Sequence, residues 1–352
     1  MIAYFVYNLN KYSGASQQAL LLAKHLKIPV VIFNHEKGTK FSKFKVGSYL
    51  EIINLPKNKI LALLYIVCFL IKNKIKIIHL HGFFKYGIAL GYFLRKKIVL
   101  KTTLMDSDDF ETIYYKNKRP ILSKFLIRCV DVNVCLTKQL FHRNKKFLSE
   151  SRICIIPNGV DEVKNTPTIK NNIFCFVGLV CERKNTYESI EYFLKNYSEL
   201  EGSKMYVVGP LEGLNELDNK YVEDCFKIVK AYEAKDKVVF TGNLDKPDVQ
   251  EIFRISKALI FLSKNEGMPN VVLEAMISNC LPISFGLDGV VNDILGKDLA
   301  RHLVIKNLEQ RVDVSILDEI VKSSKAASIA RRNYSIEVVS EKYKNLYREL
   351  TS

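Results

Sequence analysis

The stretch Phe261-Leu-Ser-Lys-Asn-Glu-Gly-Met-Pro-Asn-Val-Val-Leu-Glu-Ala-Met276 decides how this chain is read. An apolar run from Ala258 to Leu262 fits a buried strand, residues 263–268 a loop, and Pro269 the first turn of a new helix. Glu266 then falls in the loop and Glu274 in the helix. A helix that starts directly after a strand leaves amide N–H groups near Pro269, Asn270 and Val271 without intrahelical acceptors, and the positive end of its dipole favours an anion. Gly267 and Met268 complete the approach to that position. A phosphate fits there. About one turn further on, Glu274 is placed to accept hydrogen bonds from hydroxyls such as those of a ribose, while Glu266 meets whatever hangs on the other side. Ribose, phosphates and sugar, in that order, make up a nucleotide diphosphate sugar.

In E-G-M-P-N-V-V-L-E-A, seven residues separate Glu266 from Glu274. This segment resembles the paired-glutamate motif of retaining glycosyltransferases of the GT-B fold, family 4, and Gly267, Pro269 and Ala275 match it as well. Two glutamates alone at this spacing would read as acidic residues at a solvated helix start. The resemblance implies an α/β chain of two doubly wound Rossmann-like domains facing across a cleft. Residues 1–162, completed by a C-terminal helix within 333–352, would form the acceptor side, and residues 163–332 the nucleotide-sugar side. The implied reaction is metal-independent, retaining hexosyl transfer from a nucleotide-sugar, a UDP-sugar, to a glycan or lipid-linked glycan. Cell-surface polysaccharide or lipopolysaccharide biosynthesis is the implied setting, with no cofactor besides the donor. A nucleotide-sugar epimerase of similar fold is the alternative, distinguished by product formation without an acceptor.

Bulk properties agree with two domains. A chain of 352 residues exceeds what one hydrophobic core usually serves, and 48% apolar with 26% charged residues is ordinary for a globular protein. The N-terminal Met1-Ile-Ala-Tyr-Phe-Val-Tyr-Asn reads as a strand rather than a secretory signal, since no basic region precedes it. The apolar run Ile60–Ile71 is shorter than the roughly 20 residues a spanning helix needs, and is expected to be a core helix. Eight cysteines, with no CxxC pair, argue against a zinc site or disulfide framework and for a reducing cytosol. Residues 1–160 hold 27 Lys and Arg against 8 Asp and Glu, a net of +19, so the rest of the +16 chain is −3. So basic a half needs an anionic partner. Nucleic acid is disfavoured, because the aromatic residues lie in apolar strands and no stacking platform interleaved with Lys and Arg is present.

In chain order, the strand Ile2–Tyr7 passes through residues 8–16 into a helix over 17–26. Gly14 and Ala15 serve either a structural turn or the close approach of a ligand; the family resemblance, which usually has Gly-Gly here, is partial at Ser13-Gly14. Strands follow at 29–33 and 47–55, then at 76–82. There His79 and His81 are read as pointing to opposite faces of the strand, with His79 packed and His81 entering the cleft beside Gly82. After the strand at 97–104 the resembling family carries a histidine near the reacting sugar, and none occurs here; Thr102, Thr103, Met105 or Asp106 fill that neighbourhood. His81, Thr103 and Asp106 are the acceptor-side candidates. Asp106, Asp108 and Asp109 suggest a metal site for the diphosphate, but acceptor recognition or helix capping is the preferred reading, and no metal is expected. Residues 116–146 mix Lys and Arg with Phe, Leu and Ile at helical spacing. This is the pattern of a surface lying on an anionic membrane, so the expected location is cytoplasmic, peripheral on the inner face of the cytoplasmic membrane.

The second half alternates strand and helix, hence a parallel sheet with right-handed crossovers. Strands are expected at 173–178, 204–209, 237–242, 257–262 and 279–284. Arg183 and Lys184, at the loop-helix junction after the first of these, match the family's diphosphate-binding pair and supply cationic charge for a leaving group. The family's arginine directly after the glycine is replaced by Leu179. Asn243 and Leu244 stand where the family holds the nucleotide base through its backbone. With Glu266, Arg183 and Lys184 are the catalytic candidates.

Overall fold

The computed structural model describes residues 1–9, 14–36, 40–116, 119–164, 166–211 and 219–352. The loop residue Ser13 lies outside them. The chain divides into two compact units, one of Met1–Gly159 with Ile336–Ser352, the other of Val160–Ser335.

Unit 1 alternates strand and helix: β1 (Ile2–Val6), α1 (Gly14–His25), β2 (Val30–Asn34), β3 (Ser42–Val46), β4 (Leu50–Asn54), α2 (Lys59–Lys72), β5 (Ile77–His81), α3 (Lys85–Phe93) and β6 (Lys97–Thr102). It continues through α4 (Phe110–Tyr115), α5 (Pro120–Arg128), β7 (Val132–Cys135), α6 (Lys138–Asn144) and β8 (Ile153–Ile155). The strand order is β3-β4-β2-β1-β5-β6-β7-β8. All pairings are parallel except β3 with β4. The sequence reading has no strand at β3, because Ser42-Lys-Phe-Lys-Val is mostly exposed edge strand with two lysines and little apolar signal.

Alternation along β1 separates the two faces of this sheet. Tyr4 faces α1 and the last helix of the chain, in a core shared with Leu22, Tyr343 and Tyr347. Phe5 faces the other way, against Phe33 and Phe84. His79 and His81 are not on opposite faces as expected: their ring centroids lie 4.3 Å apart and each is 4.8 Å from Tyr4. Residues two apart in a strand share a face. Nor is α2 a core helix. Ala62, Ile66, Phe69 and Leu70 are buried, but Ile60, Leu61, Leu63, Leu64 and Ile71 are exposed.

The Tyr4 face carries an unusual amount of buried polarity. Tyr347 Oη meets Tyr4 Oη at 2.9 Å and His79 Nδ1 at 2.6 Å. Burial, helped by the Lys101 charge, holds both histidines well below the usual imidazole range, so they are neutral. Lys101, paired in register with His81, donates to Asn158 Oδ1 at 2.9 Å. Burial pulls its ammonium down to about 7, against the opposing pull of Asp108.

Unit 2 contains β9 (Ile173–Val177), α7 (Thr186–Tyr197), β10 (Lys204–Val208), α8 (Asn219–Ala231), β11 (Val238–Gly242), α9 (Lys246–Ile255), β12 (Ala258–Phe261), α10 (Asn270–Ile277) and β13 (Leu281–Ser284). Helices α11 (Val290–Leu295), α12 (Lys297–Leu303), α13 (Val314–Ser323) and α14 (Lys325–Tyr334) complete it. The sheet is parallel throughout, in the order β11-β10-β9-β12-β13. Crossovers from β9 run one way through β10 to β11, and the chain then returns to β12 on the other side of β9. The final helix, α15 (Ile336–Glu349), belongs to unit 1 and packs on α1.

At the carboxyl ends of β9 and β10, two glycines touch. Gly178 and Gly209 have φ of +158° and +152°, and a Cβ on Gly209 would stand 1.8 Å from the Gly178 carbonyl oxygen. Backbone sits where a side chain would go. Gly209→Ala is expected to destabilise unit 2 by about 3 kcal/mol or more, read as a lowered urea midpoint; a wild-type midpoint contradicts the packing. Lys101 gives a second test. Its value of about 7 in the fold lies below the ordinary 10.5, so between those pH values the unfolded chain binds the proton more tightly and stability must rise with pH. The slope approaches about 1.4 kcal/mol per pH unit, and Lys101→Met should flatten it in urea unfolding measured between neutral and mildly alkaline pH. An equal slope in the variant refutes the assignment.

Candidate functional site

In a parallel sheet, ligands bind beyond the carboxyl ends of the strands where the order reverses, because neighbouring loops there leave in opposite directions and open a crevice. In unit 2 that point lies between β9 and β12. The loop after β9 forms a short 3-10 turn at Glu182–Lys184 and ends at Asn185 in the left-handed region, φ 51°. Asparagine tolerates that conformation better than most residues. From there Asn185 opens α7 and donates from Nδ2 to the Leu262 carbonyl at 2.8 Å. The Lys264 amide donates to the Arg183 carbonyl at 3.0 Å, and Lys264 Nζ pairs with Glu182 at 2.8 Å. Two loops are thereby stitched into one surface.

On that surface Glu266 Oε1 is bonded by Lys184 Nζ and Ser263 Oγ, the latter at 3.1 Å, with Arg183 Nη1 at 3.4 Å. The Lys184 and Glu266 side chains are 17% and 15% exposed, so the pair is sheltered yet reachable; Arg183 is more open. Lys184 also lies 5.8 Å above the Phe261 ring. The sequence candidates Glu266, Arg183 and Lys184 are thus brought together. Ser263 and Asn185 were missed. Asn185, at the start of a helix after two cations, carried the only readable signal, the left-handed preference of asparagine.

Beyond Glu266, Gly267, Met268 and Pro269 are buried and α10 starts at Asn270, with Pro269 as its cap residue and no side-chain cap hydrogen bond. The helix starts one position later than the sequence suggested, which leaves Pro269 as its cap residue and not in its first turn. Asn270 and Val271 are half-buried in the first turn. Glu274, one turn along, is half-buried, and burial raises its carboxyl above the usual range, with Lys246 opposing and Asp161 reinforcing the rise. Lys246 and Asp161 form an ion pair. Asn243 is exposed and Leu244 half-buried, on the loop between β11 and α9.

Unit 1 holds the other candidates. Gly14 and Ala15 form the start of α1, exposed and half-buried respectively. His81 does not reach a ligand-facing edge as expected: it is 4% exposed, and neither ring nitrogen has a hydrogen-bond partner. Its place on the Tyr4 face of the sheet puts it in the core. Thr103 donates from its amide and its Oγ1 to Asp108, which also accepts from the Leu104 amide at 2.7 Å. Burial nevertheless pushes the Asp108 carboxyl up to about 6. Asp109 caps α4 by accepting from the Thr112 amide at 2.9 Å, while Asp106 pairs with Arg143 at 2.6 Å. Arg143 also lies 3.6 Å from Asp109, so Asp106 and Asp109 share one guanidinium, whereas Asp108 is turned to the Thr103–Leu104 loop. Among the described residues, no group of three or more His, Cys, Asp or Glu is arranged to hold a metal ion.

Comparison with known proteins places these geometries. HepE from Anabaena, solved in complex with UDP, is similar in fold with a TM-score of 0.74 at 12% identity, over 99% of this chain and 100% of that one. A glycosyltransferase from Rickettsia africae gives 0.73 at 16%, over 100% and 98%. WaaG, a glycosyltransferase involved in lipopolysaccharide biosynthesis, gives 0.64 at 15%, over 98% and 99%. The shared architecture is the GT-B fold. No curated protein shows significant sequence similarity. The family model described as "Glycosyl transferases group 1" matches residues 160–335, half of the chain and the whole of unit 2. The chain belongs to the group 1 glycosyl transferases.

Proposed function

We propose that this glycosyltransferase moves a hexosyl group from a UDP-sugar to a glycan or lipid-linked glycan acceptor, with retention of anomeric configuration, as a family 4 enzyme of cell-surface polysaccharide biosynthesis. The observation that carries the reading is the cluster of Lys184, Arg183 and Glu266 ahead of the α10 N-terminus, at the reversal point of the unit 2 sheet. Similar chains support the donor: HepE has been solved with UDP and with UDP-glucose.

In this reading the diphosphate docks on the first amides of α10, and Lys184 and Arg183 take up the negative charge that grows as the sugar leaves. Those cations perform the task a metal ion would otherwise do. Glu266, released from Lys184, accepts hydrogen bonds from donor hydroxyls, and Glu274 accepts from the ribose. Asn243 and Leu244 lie on the loop that would hold the base. Acceptor recognition falls to unit 1, where Thr103 and Asp106 follow the strand after which the family carries its histidine, and Gly14 and Ala15 are that unit's candidates for donor contact. The basic balance of residues 1–160 supports a peripheral position on the inner face of the cytoplasmic membrane. No helix among the described residues is long and apolar enough to cross a membrane.

Glu266→Ala is expected to abolish transfer in a radiolabelled-sugar assay while leaving the melting temperature unchanged; turnover at the wild-type rate would refute the role. Lys184→Met removes one charge-stabilising contact and should lower kcat by about 10²- to 10³-fold, with UDP release the readout. If the donor is instead converted, without acceptor and without net UDP release, to an isomeric nucleotide-sugar, the epimerase reading replaces this one. Because the Glu274 carboxyl is raised, UDP affinity should weaken toward acid pH, and Glu274→Gln should remove that dependence.

A further inference from the structure

Large apolar side chains left exposed in this molecule crowd onto one layer of unit 1. Phe33 of β2 packs edge-on against Phe69 of α2, Phe5 of β1 against Phe84 at the head of α3, and Tyr92 of α3 against Phe125 of α5. The three helices therefore cover the same side of the sheet, opposite α1 and α15, as right-handed crossovers from β4 to β5, β6 and β7 require. Outward on this layer stand Ile60, Leu61 and Leu64 of α2, Phe93 of α3, and Ile121 and Phe125 of α5, with Ile60, Phe93 and Ile121 at 70%, 76% and 85% exposure. Among the described residues, unit 2 leaves only Ile169, Phe226 and Tyr232 comparably exposed.

Charge on the helices of this layer has one sign: from Lys57 to Lys96 and from Arg119 to Arg128 the chain carries Lys and Arg but no Asp or Glu. Lys57 and Lys59 flank one end of α2, and Lys72 and Lys74 the other, all exposed. At 14 residues, α2 is roughly 21 Å long, short of a bilayer core of about 30 Å. An apolar face between cationic ends is the form of a helix that lies in the interface plane, its lysines reaching up to headgroups.

We propose that the α2-α3-α5 face of unit 1 docks on an anionic lipid bilayer, with α2 lying flat at the headgroup boundary. The inference rests on the peripheral-membrane reading above and moves its principal contact from residues 116–146 to α2. A second copy of the chain is a poorer occupant, because two such faces would set lysine against lysine, whereas anionic headgroups satisfy the cations and the acyl boundary the apolar residues.

Co-sedimentation of the full chain with vesicles of equimolar phosphatidylglycerol and phosphatidylcholine, against phosphatidylcholine alone, tests it. Binding is expected only to the anionic vesicles, weakened by salt. The exposed double variant Leu61→Glu/Leu64→Glu should lower it about tenfold or more at an unchanged melting temperature, with Phe226→Glu in unit 2 as a neutral comparison. Undiminished binding by the double variant, together with loss in Lys124→Glu/Arg128→Glu, overturns the role of α2 while leaving the peripheral reading intact. A wild-type chain that ignores both vesicles sinks both. A wild-type oligomer that the double variant dissociates, without vesicle binding, makes the face a contact between copies and overturns the proposal.

Discussion

A sheltered ion pair at the reversal of a parallel sheet is the constraint on which the chemistry proposed for unit 2 depends. Lys184 comes from the loop after β9 and Glu266 from the loop after β12, and the two strands are neighbours in the sheet although more than 80 residues part them in sequence. The pair is held from behind by backbone: Asn185 in its left-handed turn reaches the Leu262 carbonyl, and the Lys264 amide reaches the Arg183 carbonyl. A surface pair of long side chains contributes little and wanders. Here Ser263 and Arg183 add donors to the same carboxylate, which fixes its direction. Each partner satisfies the other, and in the proposed mechanism a ligand with both anionic and hydroxyl groups replaces both contacts.

Unit 1 spends its polarity differently. Tyr4, Tyr347, His79, His81 and Lys101 are gathered on the buried side of its sheet, where burial forces the rings and the ammonium toward their neutral forms. The tyrosine of α15 at the centre of that network binds the end of the chain to its beginning. The same unit leaves its opposite helical layer apolar and basic. Both sides of the sheet are packed, but only the second turns apolar side chains outward, which is the basis of the proposed docking.

Much of this was legible in the sequence, and the rest was hidden for identifiable reasons. The strands of unit 2 could be read because each is a run of buried β-branched and aromatic residues ended by glycine or a polar loop, and parallel strands are apolar on both faces. Glu266, Arg183 and Lys184 could be placed together because they match the motifs of the resembling family, and they meet in the fold because their loops leave adjacent strand ends. Strand β3 was not legible, since an exposed edge strand with Lys43 and Lys45 carries no continuous apolar pattern. The role of α2 was misread for the opposite reason: a helix apolar all round looks like core, and only the sheet's geometry reveals that one layer covers it. His81 was misplaced through a wrong count of strand period. Ser263 gave no signal, as a serine in a loop is unremarkable until its neighbours are known.

Backbone hydrogen exchange in the presence and absence of UDP tests the central claim most directly, because it reads the amides themselves. The account predicts that UDP slows exchange at residues 183–185 and at 270–273, where the turn and the first amides of α10 meet the diphosphate, with little change on the opposite edge of the unit 2 sheet. Unchanged exchange at those amides, with protection elsewhere in the chain, would contradict it.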